Sequence, residues 1–440
     1  MDGSPIEMEQ PERVVRVALV PHDVLVDILT RLAPRGLAAA RGVCRAWRAV
    51  VDGSRLLRAD LLPLSVSGIF INFNGHRFSE YFSRPSTSPT ISGMIDYLPS
   101  IQTRILIEGH CNGLLLLDGD YVVNPATQWW AFVPPSSHTE SEIFYYRNYL
   151  VFDPTLSSHY EVFSIPHFYD DDDDDTLHHV IEDFEWPLSS CIFHVFSSKK
   201  SHWEERSFIR DGEAVGKFSE MRTDSVKDCA VYYREVLYVH CQKDFVMRIS
   251  LTNNRYQAIK PPTEINPLFH LGKSKDGVYF ASLGPEKHQI RVWVLNNRCG
   301  QPEWFLKYDA NLSYVLHENF YTLASGPWVL QNVNYNFYSD RFPNDKKEAQ
   351  LEEKYEWDSD NDNVLNGENR GEKHYCGTIS LLGFHPFKEV IFVCLPFKRG
   401  LAYHLNTSKV QDLGNLHPTK YEYEVCQAIT NYFPYTPCWT

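Results

Sequence analysis

The side chains with chemical potential are few and scattered. His110 and Cys111 set a base beside a thiol, the groups that a nucleophilic mechanism would use. Neighbours on a strand point to opposite faces, so these two cannot hydrogen-bond to each other, and a turn feeding a buried strand is the simpler reading. His178 and His179 follow the acidic run Asp170–Asp175, an arrangement that hints at a cation. The carboxylate alternation and the glycine of a calcium loop are missing, which leaves a solvated loop. Ten cysteines, at 44, 111, 191, 229, 241, 299, 376, 394, 426 and 438, include no C-x-x-C and no Cys/His set at zinc spacing. No H-E-x-x-H, G-x-S-x-G, P-loop or G-x-G-x-x-G occurs. The expectation is a protein without catalysis, metal or cofactor.

Aromatic side chains offer more. Trp and Tyr bring large contact area at small entropic cost and are favoured at binding hot spots. Trp129-Trp130 is the most telling pair. On a strand one member faces the core and the other faces out, so the second is either covered by a neighbouring blade, which is the expectation, or available to a partner.

The elements that must position these residues are of two kinds. Between Val20 and Leu62 the spacing is helical. Pro21 suits the first position of a helix, and Val24, Leu25, Ile28, Leu29 and Leu32 recur on one stripe. Pro34 interrupts, and Leu37, Ala40, Val43, Cys44, Trp47, Val50 and Val51 resume helical spacing until Gly53. Forty-odd residues are too few to close a self-sufficient core, so a second surface must help. Covering Trp47 alone removes roughly 150–250 Å² from water. Either the following domain or a partner could supply that cover.

The run from Val20 through Pro21, Val24, Leu25, Ile28, Leu29 and Leu32, followed by Val43-Cys44-Arg45-Ala46-Trp47, resembles the F-box. Val20 stands where Leu is usual, and Ala33-Pro34-Arg35-Gly36-Leu37 is a variant of the middle of the pattern. The resemblance implies docking on the Skp-type adaptor of a cullin-based ubiquitin ligase. The matching positions are Val20, Pro21, Val24, Leu25, Ile28, Leu29, Leu37, Val43, Cys44 and Trp47, some of them internal packing. A DNA-binding helix-turn-helix competes, because nine Arg face four Asp between Arg13 and Leu62. The second helix offers no Asn, Gln or Ser to read base edges, so nucleic acid is not expected.

After Leu62 short apolar or alternating runs separated by Gly, Asn, Asp and Pro predict an all-β region. Tyr and Phe, 25 and 26 of 440 residues, agree with strands. Segments built as strand, Asn/Asp turn and strand start at Tyr121, Val151, Cys191, Phe245, Arg291 and Leu401, and another unit is expected near Trp328–Phe337. Such spacing suggests a propeller-like domain of roughly six irregular blades. Gly109-His110-Cys111-Asn112-Gly113-Leu114, followed by Asn124-Pro125-Ala126-Thr127, resembles the F-box-associated domain of plant F-box proteins. That likeness implies a β domain that recruits a substrate.

The net charge of −14 is concentrated. The stretch 170–185 contributes −9 and the stretch 345–372 contributes −6, so the remainder is close to neutral and both stretches read as loops. Met1–Glu12 reads as disordered, with no basic segment followed by an apolar one, and no apolar run reaches a membrane span. The chain is expected to be cytoplasmic or nuclear and not membrane-bound. Its organisation reads as a disordered 1–12, a helical F-box at 13–62 and a β domain at 63–440, α+β in two domains. The expected role is substrate recognition in a Skp-cullin-F-box ligase, with an unidentified protein target. The alternatives are an F-box interaction protein outside a ligase and, behind it, a propeller hydrolase, for which no converging pair of carboxylates can be placed.

Overall fold

The computed structural model describes residues 21–32, 37, 40, 43–54, 56, 65–85, 91–99, 104–118, 120–136, 144–168, 185–217, 229–241, 245–263, 269–284, 288–296, 301–315, 326–339, 363–365, 378–418 and 428–439. The expected disordered start at 1–12, Val20, His178-His179 and nearly all of both acidic stretches lie outside these residues. The chain divides into two units, Met1–Leu62 with Trp439–Thr440, and Pro63–Cys438.

The first unit is helical. Helix α1, His22–Thr30, has Pro21 as its N-cap and so starts one residue later than the sequence pattern, which put Pro21 at the first helical position, suggests. The Pro21 carbonyl accepts the first helical bond, from the Leu25 N–H at 2.9 Å. Leu37, Ala40 and Val43 are helical, but Cys44 breaks the series and helix α2, Arg45–Gly53, begins anew. Cys44 is suited to the break because its Sγ accepts the Trp47 N–H at 3.5 Å while its carbonyl accepts Arg48 N–H at 3.0 Å. Leu25, Leu29, Leu37, Ala40, Val50 and Val51 form the buried centre, with Trp47 half-buried against it.

The second unit is a propeller-like β domain. Its first sheet runs β3 (Ile107–Cys111), β4 (Leu114–Leu117), β5 (Tyr121–Asn124), β6 (Trp129–Phe132). The second comprises β7 (Phe144–Val151), β8 (Glu161–Phe168), β10 (Ser190–Ser197) and β11 (His202–Arg210); the third, β13 (Ala230–Tyr233) to β16 (Arg255–Ile259). Strands β11 and β16 meet in a parallel contact at Ile209–Arg210 and Arg255–Tyr256, which joins these two meanders into eight strands. The fourth sheet is β17 (Phe269–Ser274) to β20 (Glu303–Asn311), and the fifth is β22 (Ser380–Phe384) to β25 (Val410–Asn415). The sixth is assembled from both ends of the domain, in the order β21 (Val329–Leu330), β2 (Glu80–Ser83), β1 (Gly68–Phe73), β26 (Ile429–Tyr435). A two-strand ribbon pairs β9 (Glu185–Trp186) with β12 (Gly216–Lys217).

The apolar cores lie between neighbouring sheets, as expected when each sheet is apolar on both faces. Phe163, Phe193 and Phe208 meet Leu237, Phe245 and Tyr256 between the second and third. Tyr279 and Ile290 meet Ile391 and Leu401 between the fourth and fifth, and Phe70 and Tyr435 meet Leu115 and Val123 between the sixth and first.

The turns seen in the sequence have local causes. Asn124 Oδ1 accepts Ala126 N–H at 3.1 Å, Asp153 Oδ1 accepts Thr155 N–H at 3.0 Å, and Asn253 Oδ1 accepts Arg255 N–H at 3.2 Å. Each short side chain bonds backbone two residues on and reverses the chain. The make-up of the six sheets differs from the sequence reading. The segments starting at Val151 and Cys191 belong to one sheet, and Trp328–Phe337 forms no blade. There the short strand β21 leads into helix α3, Val333–Ser339. Buried Glu80 accepts Val333 N–H at 2.6 Å, Asn334 N–H at 3.0 Å and the Asn334 Nδ2 at 2.8 Å, tying α3 to β2. Burial pushes the Glu80 carboxyl up despite these donors.

Candidate functional site

The helical stripe proves wider than the interior that it serves. Leu25 and Leu29, one turn apart, point inward and are buried. Val24 and Ile28, also one turn apart and rotated by one position, are 45% and 46% exposed. Of the ten positions matching the F-box pattern, Leu25, Leu29 and Leu37 are interior, Trp47 is half-buried on its own unit's core, and Pro21, Val24, Ile28, Val43 and Cys44 are exposed. Fully burying a side chain such as Val or Ile contributes about 1.5–3 kcal/mol, so the outward pair is available to a second surface. The sequence carried this signal as an apolar stripe two residues wide on α1, though spacing alone could not assign which residue of each adjacent pair faces in.

The Cys-Asn-Gly turn between β3 and β4 is a junction. Cys111 Sγ lies 3.2 Å from the Phe152 carbonyl oxygen and 3.3 Å from the Phe152 nitrogen, and Asn112 Nδ2 donates to the same carbonyl at 2.7 Å. From the opposite side of the ring, Lys273 on β17 donates to Asn112 Oδ1 at 2.9 Å. Gly113 has φ +91°, and a Cβ there would strike Cys438. Its carbonyl accepts the Tyr435 hydroxyl at 3.1 Å, while Asn124 Nδ2 donates to the Cys438 carbonyl at 2.9 Å. Both signature motifs thus hold neighbouring sheets and the final strand together.

The same geometry sets the protonation of the His110–Cys111 pair. Burial pushes the Cys111 thiol up to about 12 and lowers His110 to about 4, with Lys273 adding to the second shift. A protonated thiol beside a neutral imidazole packed on Phe433 is a structural arrangement. Among the described residues no group of three or more His, Cys, Asp or Glu is placed to hold a metal ion. No described helix is long and apolar enough to cross a membrane.

Trp129-Trp130 departs from the expectation. Neither is covered: Trp129 is 45% and Trp130 38% exposed, and Phe132 on the same strand is 51% exposed. The reason is that β6 is the end strand of its sheet, where alternation separates two wet sides instead of a wet side and a core. Trp130 and Phe132 stand edge-on to Tyr121 at 5.8 and 5.5 Å between ring centroids, and Trp129 edge-on to Tyr160 at 6.1 Å.

A family model described as F-box-like matches residues 17–60. No curated protein matches the chain. Among solved structures, the computationally designed Ika8 protein is 11% identical with a TM-score of 0.32, covering 80% of this chain and 89% of that one. A chain of the Mitotic Checkpoint Complex is 9% identical with a TM-score of 0.29, covering 80% and 81%. Zg3597, a family 117 glycoside hydrolase from the marine bacterium Zobellia galactanivorans, is 11% identical with a TM-score of 0.24, covering 56% and 71%. At such scores none of the three bears on function. The helices and the family match together make residues 17–60 an F-box-like domain, followed in the same chain by a propeller-like β domain.

Proposed function

We propose that this chain is the substrate-recognition subunit of a Skp-cullin-F-box ubiquitin ligase. The F-box-like match over residues 17–60 carries the reading. The exposed pair Val24 and Ile28, on a unit too small to bury its own apolar stripe, supports it by leaving a face for a Skp-type adaptor and, through it, a cullin. The β domain then recruits the protein to be ubiquitinated, and the chain itself contributes binding without catalysis, in the cytoplasm or nucleus. The motifs Cys111-Asn112-Gly113 and Asn124-Pro125-Ala126-Thr127, both built into sheet junctions, favour kinship of this domain with the F-box-associated domain of plant proteins.

The test is capture of a recombinant Skp-type adaptor by full-length protein. Val24→Asp with Ile28→Asp places two charges on the exposed face and leaves Leu25 and Leu29 inside, so adaptor capture is lost while the melting temperature holds. Undiminished capture by this variant overturns the docking assignment. Cullin recovered with the adaptor separates a ligase subunit from an F-box protein acting outside a ligase.

A further inference from the structure

The six sheets end in six outer strands, and these differ in how their free backbone edges are managed. Strands β11 and β16 pair with each other. Strand β25 is met by residues 363–365, through a Val364–Gln411 bridge, Leu365 N–H to Val410 O at 2.8 Å and Asp412 N–H to Asn363 O at 3.1 Å. Strand β21 is only two residues long. Strand β20 has no partner beyond β19 among the described residues, but it carries Glu303, Lys307 and Asp309, and charges on an edge discourage a further strand. Strand β6 also has no outer partner among the described residues, and it carries Trp-Trp-Ala-Phe. No Asp, Glu, Lys or Arg occurs from Tyr121 to Thr139.

The register shows which groups β6 offers. Tyr121 opposes Phe132 and Val122 opposes Ala131, while Val133 N–H bonds Asp120 O at 2.7 Å. In an antiparallel ladder this makes Val122–Ala131 the hydrogen-bonded pair and Tyr121–Phe132 a non-bonded one. The N–H and C=O groups of Trp130 and Phe132 therefore point away from β5, toward the open edge. A polypeptide laid there meets four backbone groups in strand spacing. It finds the rings of Trp130 and Phe132 backed by Tyr121 on one face and Trp129 on the other.

We propose that β6 captures an extended, uncharged segment of the target protein as a fifth strand of the first sheet. The backbone edge supplies the bonds and the aromatic rings the apolar cover. The choice of an uncharged occupant follows from β6 itself, whose Trp-Trp-Ala-Phe side chains offer apolar surface and carry no charge to pair with one on the incoming strand. The proposal rests on the reading that the β domain recruits the target.

The test uses full-length protein and, as probe, a fluorescein-labelled hexapeptide of alternating Thr and Val with one Tyr, acetylated and amidated to remove its end charges. Anisotropy titration is expected to saturate, amide protons of Trp130 and Phe132 to gain hydrogen-exchange protection, and the same peptide with Pro at alternate positions to fail. Phe132→Lys weakens binding at least tenfold, and Trp130→Lys does the same. Both variants keep the melting temperature and adaptor capture, so loss of peptide binding alone supports the edge, whereas wild-type protein that binds the peptide but captures no adaptor counts against the F-box reading and not against the edge. No saturation by wild-type protein, or equal binding by both Lys variants, overturns the proposal. So does protection of the two amides without peptide, which would place the chain's own segment on the edge. A concentration-dependent dimer that Phe132→Lys abolishes would assign the edge to a second copy and equally overturn it.

Discussion

The helical unit and the β domain solve the same burial problem in opposite ways. The helical unit buries Leu25, Leu29, Leu37, Ala40, Val50 and Val51 and leaves Val24 and Ile28 in water. The β domain brings its two ends into one sheet, Gly68 to Phe73 paired with Ile429 to Tyr435, so that both faces of every sheet meet another. A unit of forty-odd residues has too much surface for its volume to finish its own core, whereas a ring of sheets does so by closing. Leftover apolar surface remains in both units, on one helix face in the first and on outer strands of the second, where Trp129, Trp130 and Phe132 of β6 and Phe305 and Leu306 of β20 are exposed.

The sharpest way to break the contrast is to open the ring. Tyr435 is fully buried, stands edge-on to Phe70 at 5.3 Å and donates to Gly113 O. Tyr435→Ala is expected to cost about 3–5 kcal/mol, by analogy with truncating a buried large aromatic, in chemical denaturation. Adaptor capture should survive it, because the helical unit has its own core; loss of both together would show that the two units fold as one.

Leu29→Ala attacks the other side of the comparison. Removing a fully buried leucine costs about 2–5 kcal/mol, which a core of six residues can hardly withstand. Saturating adaptor should restore helical circular dichroism, since a ligand that binds only the folded form adds stability by mass action. A variant that stays helical without adaptor would show the unit to be self-sufficient.

Acid should act on the β domain through histidines held neutral by burial. His76 and His110 are lowered to about 4 and His167 to about 3. Below the ordinary value of about 6.5 the unfolded chain takes up protons that the folded chain refuses. Their contribution is therefore complete above pH 6.5 and lost as pH falls toward 4, by up to about 1.4 kcal/mol per pH unit for each histidine. Thermal melts from pH 7 to 5 should fall, and His167→Gln, which can keep a bond to the Tyr149 hydroxyl now 2.9 Å from His167 Nε2, should flatten the slope. An unchanged slope would mean that His167 takes up its proton equally in the folded and the unfolded chain.

The smallest effect belongs to the helix surface. Arg31 and Asp27 pair at 2.6 Å with both side chains mostly in water. Arg31→Ala should shift stability by under about 0.5 kcal/mol. A larger loss would show that the pair holds α1 in place.

Much of this architecture was legible locally. Turns at Asn124, Asp153 and Asn253 are set by side chains that bond backbone two residues away, and the segments starting at Tyr121, Val151, Cys191, Phe245, Arg291 and Leu401 all contain strands. The helical stripe from Val24 to Leu32 likewise needs only the period of the helix.

Other features depend on partners far along the chain. That the segments starting at Val151 and Cys191 belong to one sheet, and that Trp328–Phe337 gives an edge strand and a short helix, follow from pairings that local spacing does not encode. The inward turn of Leu25 beside the outward Val24, and the exposure of both Trp129 and Trp130, were decided by what lies opposite each residue. Sequence by itself determined the periods, the turns and the F-box pattern, because these arise within a few residues. Only tertiary structure decided the closing sheet, in which Gly68 meets Tyr435, and the edge of β6 left without a partner strand among the described residues, because pairing and burial depend on neighbours in space that can lie hundreds of residues away along the chain.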